Sequence, residues 1–447
     1  MRHLSMTHPK TGQVCQVSLE TVPPRRLEVE PFPLIGIEAE LSLRHEESMA
    51  PASSVVMLPL FGVESWRTAE IAASCCEIKT DPHRLAGDLL AQYQERVSWL
   101  CRWAETRALQ IIPLAADPFE LRGELSGYGF IRNVVAEKYG TAAMELCRTD
   151  CTQININVPD GDALLALFRG MVRLAPVLAG MLAASPFSSG RPTGVMAFRH
   201  ALRRSLLNGG DPEVLPANLR WEEYIMSHQA LTQMGIWMST AYSMNGLIRI
   251  RPDRMCVEIG AADLIARPDH LAGIVALLRR VTYRILSAYR DGEPLPSWFG
   301  TDAHAIQDMA FRTAMLSAVK LGSAGSCYTQ AGRPAVIRDI FEQLVQWAGD
   351  SMVPDDSSQP WCQAVQGLHD LLNQGSPAER MLRSFHALHS DCADPLNGCP
   401  GCNPAVADVC RQWSRNFHSA FDTMSDKSAL RVPVSLSPSP ADTEHPD

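Results

Sequence analysis

The sequence predicts an α+β protein in which an antiparallel sheet is followed by a mostly helical C-terminal region, and three patterns carry that expectation. Pro33–Glu40 and Thr152–Val158 alternate apolar and polar residues with the period of two that marks half-buried strands. Leu247–Ile250 and Cys256–Ile259 are short apolar-rich runs joined around Pro252-Asp253, the pattern of a hairpin. From about Ala303 to Phe421 the apolar spacing is helical only.

In chain order, residues 1–30 read as a loose lead-in. A strand then carries Gly36-Ile37-Glu38-Ala39-Glu40, and a second lies near Glu77. A helix is expected over Arg84–Leu109, a strand over Ile111–Ala115, a helix from Tyr128 and the strand Thr152–Val158. Asp160 and Asp162 open a helical stretch that Pro176 should kink or split. After the hairpin, amphipathic helices are expected at Ile306–Val319, Ala335–Trp347, Ala378–Leu388 and Val406–Phe421. The expected division is a first α/β unit over 31–300 and a helical region over 301–425 with a cysteine-rich segment at 386–410. The Ser-, Pro- and acid-rich stretch 430–447 reads as a disordered tail.

Composition narrows the function classes. The 447 residues are 46% hydrophobic and 20% charged, enough to bury one large core or two. A net charge of -9 argues against a general nucleic-acid or anionic-membrane binder, although Arg199, Arg203 and Arg204 form a local basic patch that could hold a phosphate. The apolar stretch Leu164–Pro186 is broken by Arg169, Arg173 and Pro176, so it reads as a buried helix pair and no membrane partner is expected. The first residues contain no apolar run of the signal-peptide kind, so a cytoplasmic location is expected. There its thirteen cysteines should be reduced, with Cys75, Cys101 and Cys256 as small core residues.

The chemistry begins with a carboxylate pair. Period two puts Glu38 and Glu40 on one strand face and Ile35, Ile37 and Ala39 on the other. Like charges a strand step apart repel unless a cation lies between them, and hard oxygen ligands select Mg²⁺ or Mn²⁺; a solvated strand face is the alternative. A second acidic cluster runs from Glu70 through Glu77 to Thr80. Thr149–Asn157 places Gln153, Asn155 and Asn157 on one face, Ser185–Gly194 has the chemistry of a turn leading to Arg199, and Val257–Asp263 sets Glu258 in an apolar run.

Taken in order, these segments resemble the glutamate–cysteine ligase family of the plant and proteobacterial type, which includes ligases of ergothioneine biosynthesis. That family shows a Gly-x-Glu-x-Glu strand, a Glu-Leu-x-Thr-like segment, a Thr-rich strand ending Gln-Val-Asn-Leu-Asp, a Ser-Pro-Phe-x-x-Gly-x-x-x-Gly turn followed by Arg, and a Leu-Glu-x-Arg-x-x-Asp strand. Gly36 to Asp263 keeps the order and rough spacing, and Ser376–Arg380 looks like a late segment of such ligases. The resemblance implies a glutamine-synthetase-like fold whose antiparallel sheet forms a trough for ATP, metal ions and an amino acid. It implies that Glu38, Glu40, Glu77 and Glu258 hold Mg²⁺ or Mn²⁺. Glu70 is a further candidate, an exposed loop or helix acid being the alternative.

By the same resemblance Arg199 would clamp a substrate carboxylate, a task suited to a planar fork. Gln153 and Asn155 would be neutral ligands or donors to substrate. Lys79 and Arg251 would meet phosphate, a hairpin ion pair being the other reading of Arg251. The expected activity is ATP-dependent ligation of a carboxylate, such as the γ-carboxylate of glutamate, to cysteine or another amine. One departure stands out: the family usually carries Arg two residues after the last glutamate, where this chain has Gly260. A positioned arginine can be worth ~10³ or more in phosphoryl transfer. Another arginine must then substitute, with Arg249, Arg251 and Arg254 nearest, or the pocket has been remodelled. The alternatives are a catalytically weakened homologue that binds nucleotide or peptide as a partner subunit, and a hydrolase on the same scaffold.

Apart from these motifs, His386, His389, Cys392, Cys399, Cys402 and Cys410 fall in one short stretch. Cys399-Pro400-Gly401-Cys402 supplies two thiols in a turn, and Cys392 with Cys410 or a histidine would complete a structural Zn²⁺ site. Reduced thiols packed under the final helix are the other reading.

Overall fold

Strand alternation builds the centre of the molecule. The computed structural model describes residues 2–7, 14–19, 29, 32–61, 64–70, 72–119, 149–206, 220–222, 224–225, 247–299, 309–329, 331–350, 353, 356–357, 359–390, 395–396 and 399–422. The helix expected from Tyr128, Cys392 and the 430–447 tail lie outside the described residues. The chain opens with β1 (Arg2–Thr7) and β2 (Val14–Leu19), followed by β3 (Ile35–His45), the single turn α1 (Ser54–Met57), β4 (Arg67–Ala69) and β5 (Cys75–Lys79). Next come α2 (Ala86–Glu105), β6 (Leu109–Ile112), β7 (Thr152–Asn157), α3 (Gly161–Met181), β8 (Phe187–Ser188), β9 (Arg191–Pro192) and α4 (Phe198–Leu206).

The hairpin β10 (Ile248–Arg251) and β11 (Cys256–Ile259) precedes α5 (Pro268–Asp291) and α6 (Met309–Leu321). A short pair, β12 (Ser326–Tyr328) and β13 (Pro334–Val336), leads to α7 (Ile337–Gly349), α8 (Trp361–Gln374), α9 (Pro377–Leu388) and α10 (Cys402–Phe421).

The main sheet is antiparallel, in the order β10-β11-β7-β3-β5-β4, with β6 pairing the C-terminal part of β3. Its apolar face carries Ile35, Ile37, Ala39, Leu41, Ile78, Ile154, Ile156, Val257 and Ile259, none more than 1% exposed. At roughly 2 kcal/mol for each large side chain withdrawn from water, this layer fixes the register, because a one-residue slip would turn it outward. Helices α2 and α3 pack against it and α10 covers β6, while α5, α6, α7 and α8 add to the same core, which extends from Ile35 to Phe421. Between α5 and α8 the approach is close enough that a Cβ at Gly367 would stand 2.1 Å from the Asp269 carbonyl, so only glycine fits there.

Three expectations are corrected. The lead-in contains an antiparallel pair, β1 with β2, whose period-two signal in His3–Met6 and Cys15–Leu19 is short but present. Pro176 does not split its segment, and α3 runs through it as one helix capped by Asp160, which accepts from the Ala163 amide (2.9 Å). Proline costs about 3 kcal/mol inside a helix, but Leu174, Val177 and Leu178 around it are fully buried and outweigh that cost. This helix is long and apolar enough to cross a membrane, yet it lies inside the fold among α5, α6 and α7. Finally, the C-terminal region is not helical only, since β12 and β13 pair within it.

Candidate active site

The second face of the sheet is polar because residues opposite one another in antiparallel strands share a face. Glu40 pairs with Glu77 of β5, and Glu77 with Thr68 of β4. Glu38 pairs with Lys79 on one side and Gln153 of β7 on the other. Asn155 pairs with Gly36 and with Glu258 of β11, which in turn faces Arg249 of β10. One surface therefore gathers Glu38, Glu40, Glu77, Lys79, Gln153, Asn155 and Glu258 from strands far apart in sequence.

The carboxylates on this surface divide into three groups. Glu40, Glu70 and Glu77 bring one oxygen each within 4.8 Å of the others. Glu40 accepts from Gln153 Nε2 (3.1 Å) through Oε1, but its Oε2 is buried with no hydrogen-bond partner. Glu77 accepts from Thr68 Oγ1 (2.8 Å) and meets Lys79 Nζ at 2.5 Å. Burial works to lower the Lys79 pKa, but the Glu77 carboxylate, with Glu38 and Glu70, outweighs it and holds the ammonium above its ordinary value. Two unit charges this close repel by at least about 3 kcal/mol at an effective dielectric of 20, so three carboxylates around one unpartnered oxygen are a donor set that fits a cation. Hard oxygens of this kind suit Mg²⁺ or Mn²⁺.

Glu38 and Glu258 are answered differently. Arg254 Nη1 meets Glu38 at 3.1 Å at the exposed end of the hairpin. Glu258, only 2% exposed, is held by Arg249 and by Arg251 Nη1 (3.2 Å). Burial opposes the Arg249 charge, but Glu258 more than compensates and raises its pKa. Arg249 also donates to Gln153 Oε1 (3.4 Å), which links the two ends of the trough. The hairpin is pinned by Asn157, whose Nδ2 donates to the Arg254 and Met255 carbonyls, each at 3.0 Å.

Arg199 is not on the open surface. It is fully buried, donates to the Gly260 and Ala262 carbonyls at 3.2 Å and lies 3.6 Å from Asp263. Asp263 accepts from the Ala184 amide and Ser185 Oγ, both at 2.8 Å, so the arginine ties α4 and the Ser185 turn to the segment after β11. Asp150 went unread in the sequence; burial, with Glu40 nearby, pushes it up to about 7 against the hydrogen bonds from Ser42 and Cys75. Beside the trough lies a pocket of about 350 Å³ lined by Glu38, Trp66, Lys79, Arg96, Asn155 and Arg254, among others. Trp66 and Arg96 carried no sequence signal, whereas Arg249 was signalled by the Ile-Arg-Ile-Arg alternation of β10.

The sulfur-rich segment is regrouped. His389, Cys399 and Cys402 converge, with one ligand atom each within 4.8 Å. Cys410 is elsewhere, buried beside Arg44 and Asp117, and burial pushes its thiol up to about 12. It sits eight residues after Cys402 on α10, about 12 Å along the axis, which is why it cannot share an ion with that residue.

Comparison with known proteins adds the following. The model of the glutamate-cysteine ligase family 2 matches residues 34–397. A Bordetella parapertussis protein provisionally named glutamate–cysteine ligase 2 is 26% identical over 362 residues, covering 78% of this chain and 82% of its own length. A similarly named Herpetosiphon aurantiacus protein is 22% identical over 364 residues, covering 79% and 89%. Among solved structures, the Francisella tularensis glutamate–cysteine ligase in complex with AMP has a similar fold, with TM-score 0.58, 10% identity and coverage of 88% of this chain and 89% of that one. The bifunctional glutathione synthetase of Pasteurella multocida gives TM-score 0.58 and 14% identity over 88% of this chain, which spans 55% of that longer protein.

Proposed function

The chain belongs to glutamate–cysteine ligase family 2 and is an ATP-dependent carbon–nitrogen ligase; on that premise we propose that it activates the γ-carboxylate of glutamate with ATP and joins it to cysteine or another amine in the sheet trough. The observation that carries this reading is the segregation of charge along one sheet face: three converging carboxylates at Glu40, Glu70 and Glu77, and arginines at positions 249 and 251 around Glu258. Residues 31–300 would carry the trough and 301–425 would buttress it.

Making an amide from a carboxylate and an amine needs the carboxylate oxygen converted to a leaving group, which phosphorylation by ATP does. Phosphoryl transfer is chiefly positioning and charge neutralisation. Glu40, Glu70 and Glu77 would hold a divalent cation, which when bound neutralises phosphate oxygens. Thr68 and Gln153 orient two of these carboxylates through the hydrogen bonds already described. Lys79 and Arg254 line the pocket as half-exposed cations within reach of an anionic ligand, and Arg251 stands behind them beside Glu258. Arg249 stands across the strand pair from Glu258 and would supply the positive charge that Gly260 lacks. Arg199 would act indirectly, by setting the segment Gly260–Asp263 under the trough.

The test is phosphate release from ATP with Mg²⁺, glutamate and a panel of amines including cysteine. Release that depends on both glutamate and an amine, with the γ-glutamyl product seen by mass spectrometry, is the expected result. Release that needs glutamate but no amine would convert the reading to a hydrolase, and no release with any pair would remove it.

A further inference from the structure

We propose that His389, Cys399 and Cys402 bind one zinc ion that staples the α9–α10 connection beneath the turn leading to Arg199. His389 caps the end of α9, and Cys402 is the first residue of α10. His389 Nε2 lies 2.9 Å from Cys399 Sγ, which lies 3.6 Å from Cys402 Sγ. Ligands held about 2.0–2.3 Å from a tetrahedral zinc are roughly 3.3–3.8 Å from one another, so small adjustments would seat the ion. Sulfur and imidazole donors select zinc over the hard cations that the trough carboxylates suit.

Two further features of the turn favour a shared ion. The Cys399 amide donates to Cys402 Sγ (3.4 Å), and Cys402 stands at the N-terminus of a 20-residue helix, where negative charge is stabilised. Gly401 is the other: a Cβ there would stand 2.5 Å from His389 Cε1, so the Cys-Pro-Gly-Cys turn keeps glycine where the imidazole ring closes over it.

The staple has a defined load. A Cβ at Gly190 would stand 2.7 Å from Asn403 Oδ1, one residue past Cys402, and one at Gly194 would meet Leu396 at 3.3 Å. Both glycines have left-handed φ, 70° and 77°, and form the turn that leads to α4 and Arg199. The metal knuckle is thus packed under the segment whose arginine positions the loop after Glu258.

The experiment uses the full chain, purified under reducing conditions without chelator. Elemental analysis should give about one zinc per chain, and Co²⁺ replacement should give thiolate-to-cobalt charge-transfer bands in the near ultraviolet. Cys399→Ser combined with Cys402→Ser should lose both signals, while Cys410→Ser keeps them. Should the double variant fail to fold, Gly401→Ala decides: it removes no sulfur, yet displacing the ring should weaken metal binding by at least ~10-fold. Chelation should lower the melting temperature of wild type by several degrees. A wild type that holds no zinc after incubation with Zn²⁺ and shows no cobalt bands would overturn the site. A Gly401→Ala protein with unchanged metal affinity would overturn the role of His389, and a melting temperature insensitive to chelation would overturn the staple.

Discussion

The two ends of the trough are made by the same strand alternation and arrive at opposite electrostatics. At the β3–β5 end, Glu40 faces Glu77 with Glu70 beside them, and Lys79 meets Glu77. At the β10–β11 end, the buried carboxylate of Glu258 is gripped by two arginines, and the exposed Asp253 meets one of them at 3.5 Å. A carboxylate pointing off a strand is therefore neither a metal ligand nor an ion-pair partner by itself; the residue across the strand pair decides. An excess of negative charge invites a cation and an excess of positive charge invites a phosphate or carboxylate. A substrate carrying both belongs between them.

The sharpest way to break this contrast is at the acidic end. Glu40→Gln keeps shape but removes the only one of the three carboxylates shown with a buried, unpartnered oxygen. Turnover with saturating substrates should fall by at least ~10²-fold and the Mg²⁺ concentration for half-activity should rise. In the absence of metal the variant should be as stable as wild type or more so in urea, because a like-charge repulsion is gone. Equal Mg²⁺ dependence in the two proteins would show that this cluster is not the cation site.

At the arginine end the stability effect should have the opposite sign. Arg249→Ala leaves Glu258, 2% exposed, with Arg251 alone, and should destabilise the protein by about 1–3 kcal/mol in urea unfolding. Arg251→Ala should cost less, because Arg251 meets Glu258 at 3.2 Å while Arg249 lies closer and also donates to Gln153 Oε1. If Arg249→Ala were neutral for folding and Glu40→Gln damaging, the assignment of the two ends would have to be exchanged.

Local pattern made the sheet legible and left its pairing open. Period two put Glu38 beside Glu40 and the β10–β11 hairpin was visible around Pro252, because both signals are contained in ten or twelve residues. That Glu40 would face Glu77 while Glu258 faces Arg249 follows only from the order β10-β11-β7-β3-β5-β4, which joins strands separated by up to about two hundred residues. Glu70 read as an acid with no fixed place because it follows β4, a strand of only three residues whose position is set by its pairing with β5. Arg199 could be read as a clamp from its motif alone; its burial under Gly260 and Ala262 is a tertiary fact. For the sulfur cluster the Cys-x-x-Cys turn was plain, but the choice of His389 over Cys410 rested on where α9 ends and how α10 runs.

A pH-dependent effect should come from Asp150, and it sharpens the comparison by reporting the field of the acidic end. Burial is the main cause of its rise to about 7, and Glu40 adds to it, while hydrogen bonds from Ser42 and Cys75 work the other way and Asp117 contributes a further carboxylate nearby. An unfolded aspartate titrates near 3.9, so between about pH 4 and pH 7 the folded state holds a proton that the unfolded state has lost. Stability from this group therefore falls as pH rises through that window and levels off above it. Asp150→Asn should remove the slope, gaining stability over wild type at pH 8 and gaining little at pH 4, as read from urea unfolding at the two pH values. Glu40→Gln should shift the wild-type slope toward lower pH, because it removes one of the charges that raise the Asp150 pKa. A stability difference between Asp150→Asn and wild type that is the same at pH 4 and pH 8 would mean that Asp150 is already ionised across the range and does not sense the acidic cluster.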